Sequence, residues 1–85
     1  MDKIDVQRVP PGAKVELYIS PSCPYCRQAI EHYQATGTPY VTYDAQNDRG
    51  HRKRMFEYTG DDPTVPAIVI DGRYVQSGWG SPPRG

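Results

Sequence analysis

Two cysteines stand two residues apart in Cys23-Pro24-Tyr25-Cys26, and the chain holds no others. A thiol pair at this spacing can make and break a disulfide, or it can supply half of a metal site. The thiolate is the reactive form, and an ordinary cysteine ionises only near pH ~8.5. The free N–H groups and the dipole at a helix start stabilise an anion there. The pair follows an apolar alternation, Val15, Leu17 and Ile19, and precedes a helical stretch. A strand therefore delivers Cys23 to a helix start, where its thiol should ionise early. Cys26 lies one turn further in and should be shielded and harder to ionise. This asymmetry assigns roles. Cys23 attacks a disulfide and forms a mixed disulfide, and Cys26 resolves it by attacking the Cys23 sulfur. Arg27 either adds positive potential nearby or is a solvated helix residue.

The metal reading needs four ligands for a closed zinc site. The chain offers Cys23, Cys26, His32 and His51, but the histidines lack zinc-finger spacing and His32 falls on an expected exposed helix face. A mononuclear metal site is therefore not expected. A cluster shared between two subunits needs only one exposed cysteine per chain and stays open.

The elements that must position the pair follow from local signals. Lys14 to Ile19 alternates as a strand, and Ser20-Pro21-Ser22 breaks it. Pro24 suits the first position of a helix that runs to about Ala35 and stops before Gly37. Tyr40 to Tyr43 form a second strand ending at Asp44. Asn47 or Asp48 caps a second helix, weakened at Gly50, that ends at Thr59-Gly60. Ala67 to Ile70 is wholly apolar and predicts a buried strand. Asp71-Gly72 then signals a hairpin to Tyr74-Val75. The order is β-α-β-α-β-β. It predicts an α/β fold with a four-stranded mixed sheet: the first two strands parallel, the last two antiparallel. Pro66 at the start of the buried strand is by itself only a strand-start proline, and about 5–6% of X–Pro bonds are cis.

The 85 residues are expected to form one domain over residues 14–80, between tails at 1–13 and 81–85. Ten Lys and Arg balance ten Asp and Glu, so no global field favours nucleic acid or an anionic membrane. No apolar run is long enough to span a bilayer, and residues 1–11 lack a signal-peptide core. A cytoplasmic protein is expected, where two cysteines are more often catalytic or metal-binding than structural.

Over residues 14 to 80 the chain resembles the glutaredoxins, small members of the thioredoxin fold. Cys23-Pro24-Tyr25-Cys26 resembles the dithiol site. Thr59-Gly60 with Thr64-Val65-Pro66 resembles the helix end and cis-proline loop, and Ala67 to Gly72 the strand and turn that follow. The loop Asp61-Asp62-Pro63 is about one residue longer than usual for the family. The resemblance implies a cis Pro66 facing Cys23. It further implies that the Val65 backbone hydrogen-bonds an extended peptide or the cysteinyl part of glutathione, with Thr64 among the substrate-binding residues. Tyr25 would flank the substrate sulfur. Arg52 falls where the family directs a Gln or Arg toward the glycine carboxylate of glutathione, although Arg52-Lys53-Arg54 can equally be a solvated basic run.

Two departures bear on the electron donor. Ser20 stands where many glutathione-using members have Lys. Gln76-Ser77-Gly78-Trp79-Gly80 replaces the usual Gly-Gly and polar pair near the γ-glutamyl end, leaving Ser77 as a candidate contact. The Ser-Gly-aromatic run is more similar to glutaredoxin-like electron donors of ribonucleotide reductase, which thioredoxin reductase recharges. The final helix of most glutaredoxins is expected to be absent or a stub, with Trp79 packed in part of its place.

The expected function is glutathione-dependent thiol–disulfide oxidoreduction acting on protein disulfides or glutathione mixed disulfides. No tightly bound cofactor or metal is expected, glutathione is the reducing co-substrate, and the protein is expected to be a monomer. The alternatives are a donor recharged by thioredoxin reductase and an iron–sulfur cluster or metal-binding module.

Overall fold

The computed structural model describes residues 5–80 and 82–85. Its elements are β1 (Val15–Ile19), α1 (Pro24–Thr36), β2 (Tyr40–Asp44), α2 (Arg49–Thr59), β3 (Ala67–Ile70) and β4 (Arg73–Ser77). They form one four-stranded sheet in the order β2-β1-β3-β4. β1 runs parallel to β2 and antiparallel to β3, and β3 and β4 form an antiparallel hairpin. This is the α/β architecture expected from the sequence.

The period-2 geometry of a strand sorts the core into two layers. Val15 and Leu17 of β1, with Ile68 and Ile70 of β3, point to the side of α1 and meet Ala29, Tyr33 and Trp79. Tyr18, Ala67 and Val69 point the other way and meet Met55 of α2 and Ala45. Helices on both faces explain why β3 is buried at every residue and wholly apolar. Each fully buried Leu or Ile contributes about 1.5–3 kcal/mol.

Local chemistry sets the ends of the elements. α1 stops where Gly37 takes φ +70, and the Thr38 N–H returns to the Tyr33 carbonyl. α2 begins at Asp48, whose side chain accepts the His51 N–H at 2.9 Å. Asn47, the other candidate cap, instead donates its backbone and side-chain N–H groups to Asp44. Those bonds, the side chain of Asn47 first, hold the Asp44 carboxyl below the usual carboxylate range. Asp71 and Gly72 both adopt positive φ, as a two-residue hairpin turn with the twist of its strands requires. A bulge in β3–β4 skips Val75 between Ile68 paired with Gln76 and Val69 paired with Tyr74.

The residues before β1 contain no strand or helix from 5 to 13, yet they are attached to α1. Val6 and Ala13 are buried in the α1-side core, and the Tyr33 hydroxyl donates to the Val6 carbonyl at 2.7 Å. Among the described residues no helix is long and apolar enough to cross a membrane.

Candidate active site

The turn Ser20-Pro21-Ser22 closes with the Cys23 N–H donating to the Ser20 carbonyl at 3.1 Å. Cys23 is the N-cap of α1, with extended backbone and Pro24 inside the first turn. Proline has no N–H to waste there, and its fixed φ suits the helix. The Cys23 side chain makes no cap bond, and the first turn carries no acidic residue. The helix start therefore presents its positive end to the half-buried Cys23 sulfur without competition from a carboxylate.

Cys26 lies one turn inward and is 2% exposed. Burial pushes its thiol up to about 12; the Ser20 backbone opposes this and the adjacent Cys23 thiol adds to it. Both cysteines are free thiols. The expected asymmetry is present in position: one sulfur is accessible and one is buried.

The opposite wall is the loop from Thr59 to Pro66. The Val65–Pro66 peptide is cis, as the resemblance implied. The Cys23 sulfur lies 3.8 Å from the Val65 carbonyl oxygen. Side chains hold this loop in place. The Thr59 hydroxyl donates to the Asp62 carbonyl at 3.0 Å and accepts the Asp62 N–H at 3.1 Å. The Asp62 carboxylate accepts the Thr64 N–H at 2.9 Å. The hydroxyl of Thr64, then its amide, keep that carboxyl below its ordinary range. Just past β4 the Gly78 N–H donates to the Pro66 carbonyl at 2.8 Å.

A cleft of about 190 Å³ opens beside Val65, lined also by Ser20, Gln46, Arg52 and Phe56 among others. It is smaller than the cleft of about 430 Å³ along the outer face of α2, between Arg49, Lys53 and Asp61. The smaller one is the better candidate because Val65 borders both it and the sulfur. The larger one reaches the site only through Arg52 and Phe56.

Arg52 enters the cleft already engaged. Its Nε donates to the Ala45 carbonyl at 2.9 Å and its Nη2 to the Gln46 carbonyl. It ties the β2–α2 loop to α2, so it is more than a member of a solvated basic run. Ser20, in the place of the family lysine, bonds to the Gln46 side chain and lies 3.3 Å from the Ser22 hydroxyl. Tyr25 is half-buried against the α1-side core. The Ser77 hydroxyl is paired with the Tyr74 hydroxyl at 2.7 Å, and Ser77 does not line the cleft. Trp79 is 7% exposed and packs on Tyr33, in agreement with the expected packing role.

His32 departs from the exposed face expected for it. It is half-buried, bonds to the Gln7 carbonyl at 3.0 Å and lies 5.4 Å from the Trp79 ring. The cause is the lead-in around Val6, which covers that side of α1. His51 is on the other helix, its ring tilted against that of Tyr43 at 5.0 Å. Among the described residues no three His, Cys, Asp or Glu side chains converge on one point. Sequence reasoning missed Asp62 and Gln46. Asp62 had a local signal, since an Asp two residues before Thr64 has the spacing of a side-chain-closed turn. Gln46 had none, because its partner Ser20 is distant in the chain.

Known proteins resemble this chain over most of its length. The family model described as Glutaredoxin matches residues 15–75. Glutaredoxin 3 of Escherichia coli K12 is 30% identical over 63 residues, covering 74% of this chain and 75% of that protein. An uncharacterized glutaredoxin-like 8.6 kDa protein in the rubredoxin operon of Clostridium pasteurianum is 26% identical, covering 72% and 80%. Among solved structures, the thioredoxin-like protein BC3987 superposes with a TM-score of 0.65 at 32% identity, covering 74% and 80%. With the family model spanning both cysteines and the Val65–Pro66 loop, the chain belongs to the glutaredoxin family of redox proteins.

Proposed function

We propose that this protein is a thiol–disulfide oxidoreductase that takes electrons from glutathione and reduces protein disulfides or glutathione mixed disulfides. One observation carries the reading: an accessible Cys23 sulfur at a helix start, 3.8 Å from the Val65 carbonyl, with Cys26 buried behind it. The Cys23 thiolate attacks one sulfur of the substrate disulfide. A Cys23–substrate mixed disulfide forms, the original S–S bond breaks, and the leaving thiolate takes a proton. Cys26 gives up its proton and attacks the Cys23 sulfur. The Cys23–Cys26 disulfide forms and the second substrate thiol leaves, so two electrons have passed to the substrate. Two glutathione molecules return them, becoming glutathione disulfide. With a glutathione mixed disulfide as substrate, a glutathione thiol takes the place of Cys26 in the second step.

In this reading Val65 and Thr64 align the substrate backbone and Pro66 closes the wall behind it. Tyr25 flanks the substrate sulfur. Arg52 marks the carboxylate end of glutathione in the cleft, and Ser77 lies on the γ-glutamyl side. Glutathione enters as a co-substrate, with no tightly bound cofactor, and the protein acts as a cytoplasmic monomer.

A second reading has its own support. The hydroxyls of Ser20 and Ser77 are both engaged within the protein, and no lysine stands at position 20. A surface with fewer free polar contacts for glutathione suits a donor recharged by thioredoxin reductase. The test is a disulfide-reduction assay run with glutathione and its reductase, or with thioredoxin reductase alone. Turnover in the first arm is expected. Turnover only in the second overturns the glutathione reading.

A further inference from the structure

Among the described residues the Val65 carbonyl takes no backbone hydrogen bond. It is the acceptor at which an extended substrate would add as a short strand. The chain itself comes back to this point. After β4, Gly78 takes φ +92, and Trp79 and Arg84 pair antiparallel through N–H···O bonds of 2.7 and 2.9 Å. The return is tight: a Cβ on Gly78 would lie 2.8 Å from the Arg84 nitrogen, so only glycine fits without a shift. It sets Gly85 directly on the loop. A Cβ there would collide with the Val65 carbonyl oxygen and the Thr64 methyl. One carbonyl oxygen thus separates this segment from the Cys23 sulfur.

The two ends of the return differ. Trp79 is an anchor, buried against His32 and Tyr33 with ring centroids 5.4 and 5.6 Å away. Pro82 to Gly85 are exposed and add nothing to the core. A segment held by few buried contacts opens at low cost. We infer that Pro82–Gly85 is a displaceable strap seated on the substrate edge of the site. A partner must compete with it for the Val65 carbonyl, so the strap selects extended thiol substrates over small reagents that need only the sulfur. The inference rests on the preceding reading of Val65 as the substrate edge.

The test uses the full chain and two full-length variants, Gly85→Val and Arg84→Pro. The first puts a side chain where none fits. The second removes the N–H that pairs with Trp79. Each protein is reduced, and the rate of Cys23 alkylation is measured with iodoacetamide and with a maleimide carried on a five-residue extended peptide. A strap seated about nine-tenths of the time leaves about a tenth of the molecules competent for the extended reagent. The peptide-to-iodoacetamide rate ratio should then rise about tenfold in both variants, with the iodoacetamide rate unchanged. An unchanged ratio in both overturns the strap. Failure of the oxidoreductase reading is seen separately, as absence of wild-type turnover in the reductase assay, and does not alter this ratio.

Discussion

The first turn of α1 and the loop from Asp61 to Pro66 face each other across 3.8 Å, and they are held by different means. The first wall is local. A serine turn, an N-cap and a proline place Cys23, and the backbone hydrogen bonds that set it lie within a few residues. The second wall depends on a side-chain clip, Thr59 with Asp62 and Asp62 with Thr64, and on a bond from Gly78 beyond the next hairpin. The difference separates chemistry from recognition. In the proposed function the reactive atoms sit on the wall that the chain builds by itself, and substrate alignment on the wall that the rest of the fold must hold.

The largest effect belongs to the first wall. Cys23→Ser should lower kcat/KM for disulfide reduction by about a thousandfold or more, as loss of a nucleophile does. Retained turnover would move the attacking sulfur to Cys26 and erase the difference between the two thiols.

The buried side of that wall has a pH signature. The fold keeps Cys26 and Tyr18 protonated up to about 12 in each case, chiefly through burial. In the unfolded chain a thiol loses its proton near pH ~8.5 and a phenol near ~10. Between those limits the unfolded state binds fewer protons, so stability falls as pH rises. Denaturant melts of the reduced protein should show full stability below pH ~8.5 and a progressive loss toward 12. The oxidised protein, which has no thiol to ionise, should begin to lose stability only near pH ~10. Coincident curves for the two forms would show that Cys26 is not held protonated by the fold.

The second wall predicts a smaller and different effect. Asp62→Ala removes the acceptor for the Thr64 N–H and loosens the clip that holds the loop. KM for a peptide disulfide should rise severalfold with kcat retained. A fall in kcat at constant KM would place Asp62 with the chemistry.

Tyr18 lies outside both walls and gives the smallest effect. Its hydroxyl is fully buried with no partner among the described residues. Such a group forfeits about 1–3 kcal/mol of hydration, and Tyr18→Phe removes it. Chemical denaturation should find the variant equal to or up to about 1 kcal/mol more stable, with activity unchanged. Clear destabilisation would reveal a partner for that hydroxyl.

The same division explains what could be read in the sequence. Cys23-x-x-Cys26, the Asp71-Gly72 turn and the apolar run of β3 are written in neighbouring residues, so the element order, the directions of the two sequential strand pairs and the place of the thiol pair at a helix start were legible. The cis Pro66 was legible only through a family resemblance. The attachment of Val6 to Tyr33, the half-burial of His32 and the engagement of Arg52 with Ala45 and Gln46 were not. Each joins residues whose spacing carries no period, and a polar segment such as residues 5–12 hides its one buried valine among exposed neighbours. The return of Gly85 to Val65 was illegible for the same reason.

In the proposed mechanism Cys23 attacks and Cys26 resolves. Cys26→Ser, mixed with a peptide disulfide under non-reducing conditions and digested for mass spectrometry, tests it most directly. A stable one-to-one adduct with the substrate cysteine joined to Cys23 is expected, while wild-type protein passes through to the Cys23–Cys26 disulfide. A Cys26→Ser protein that accumulates no adduct at Cys23 would contradict it.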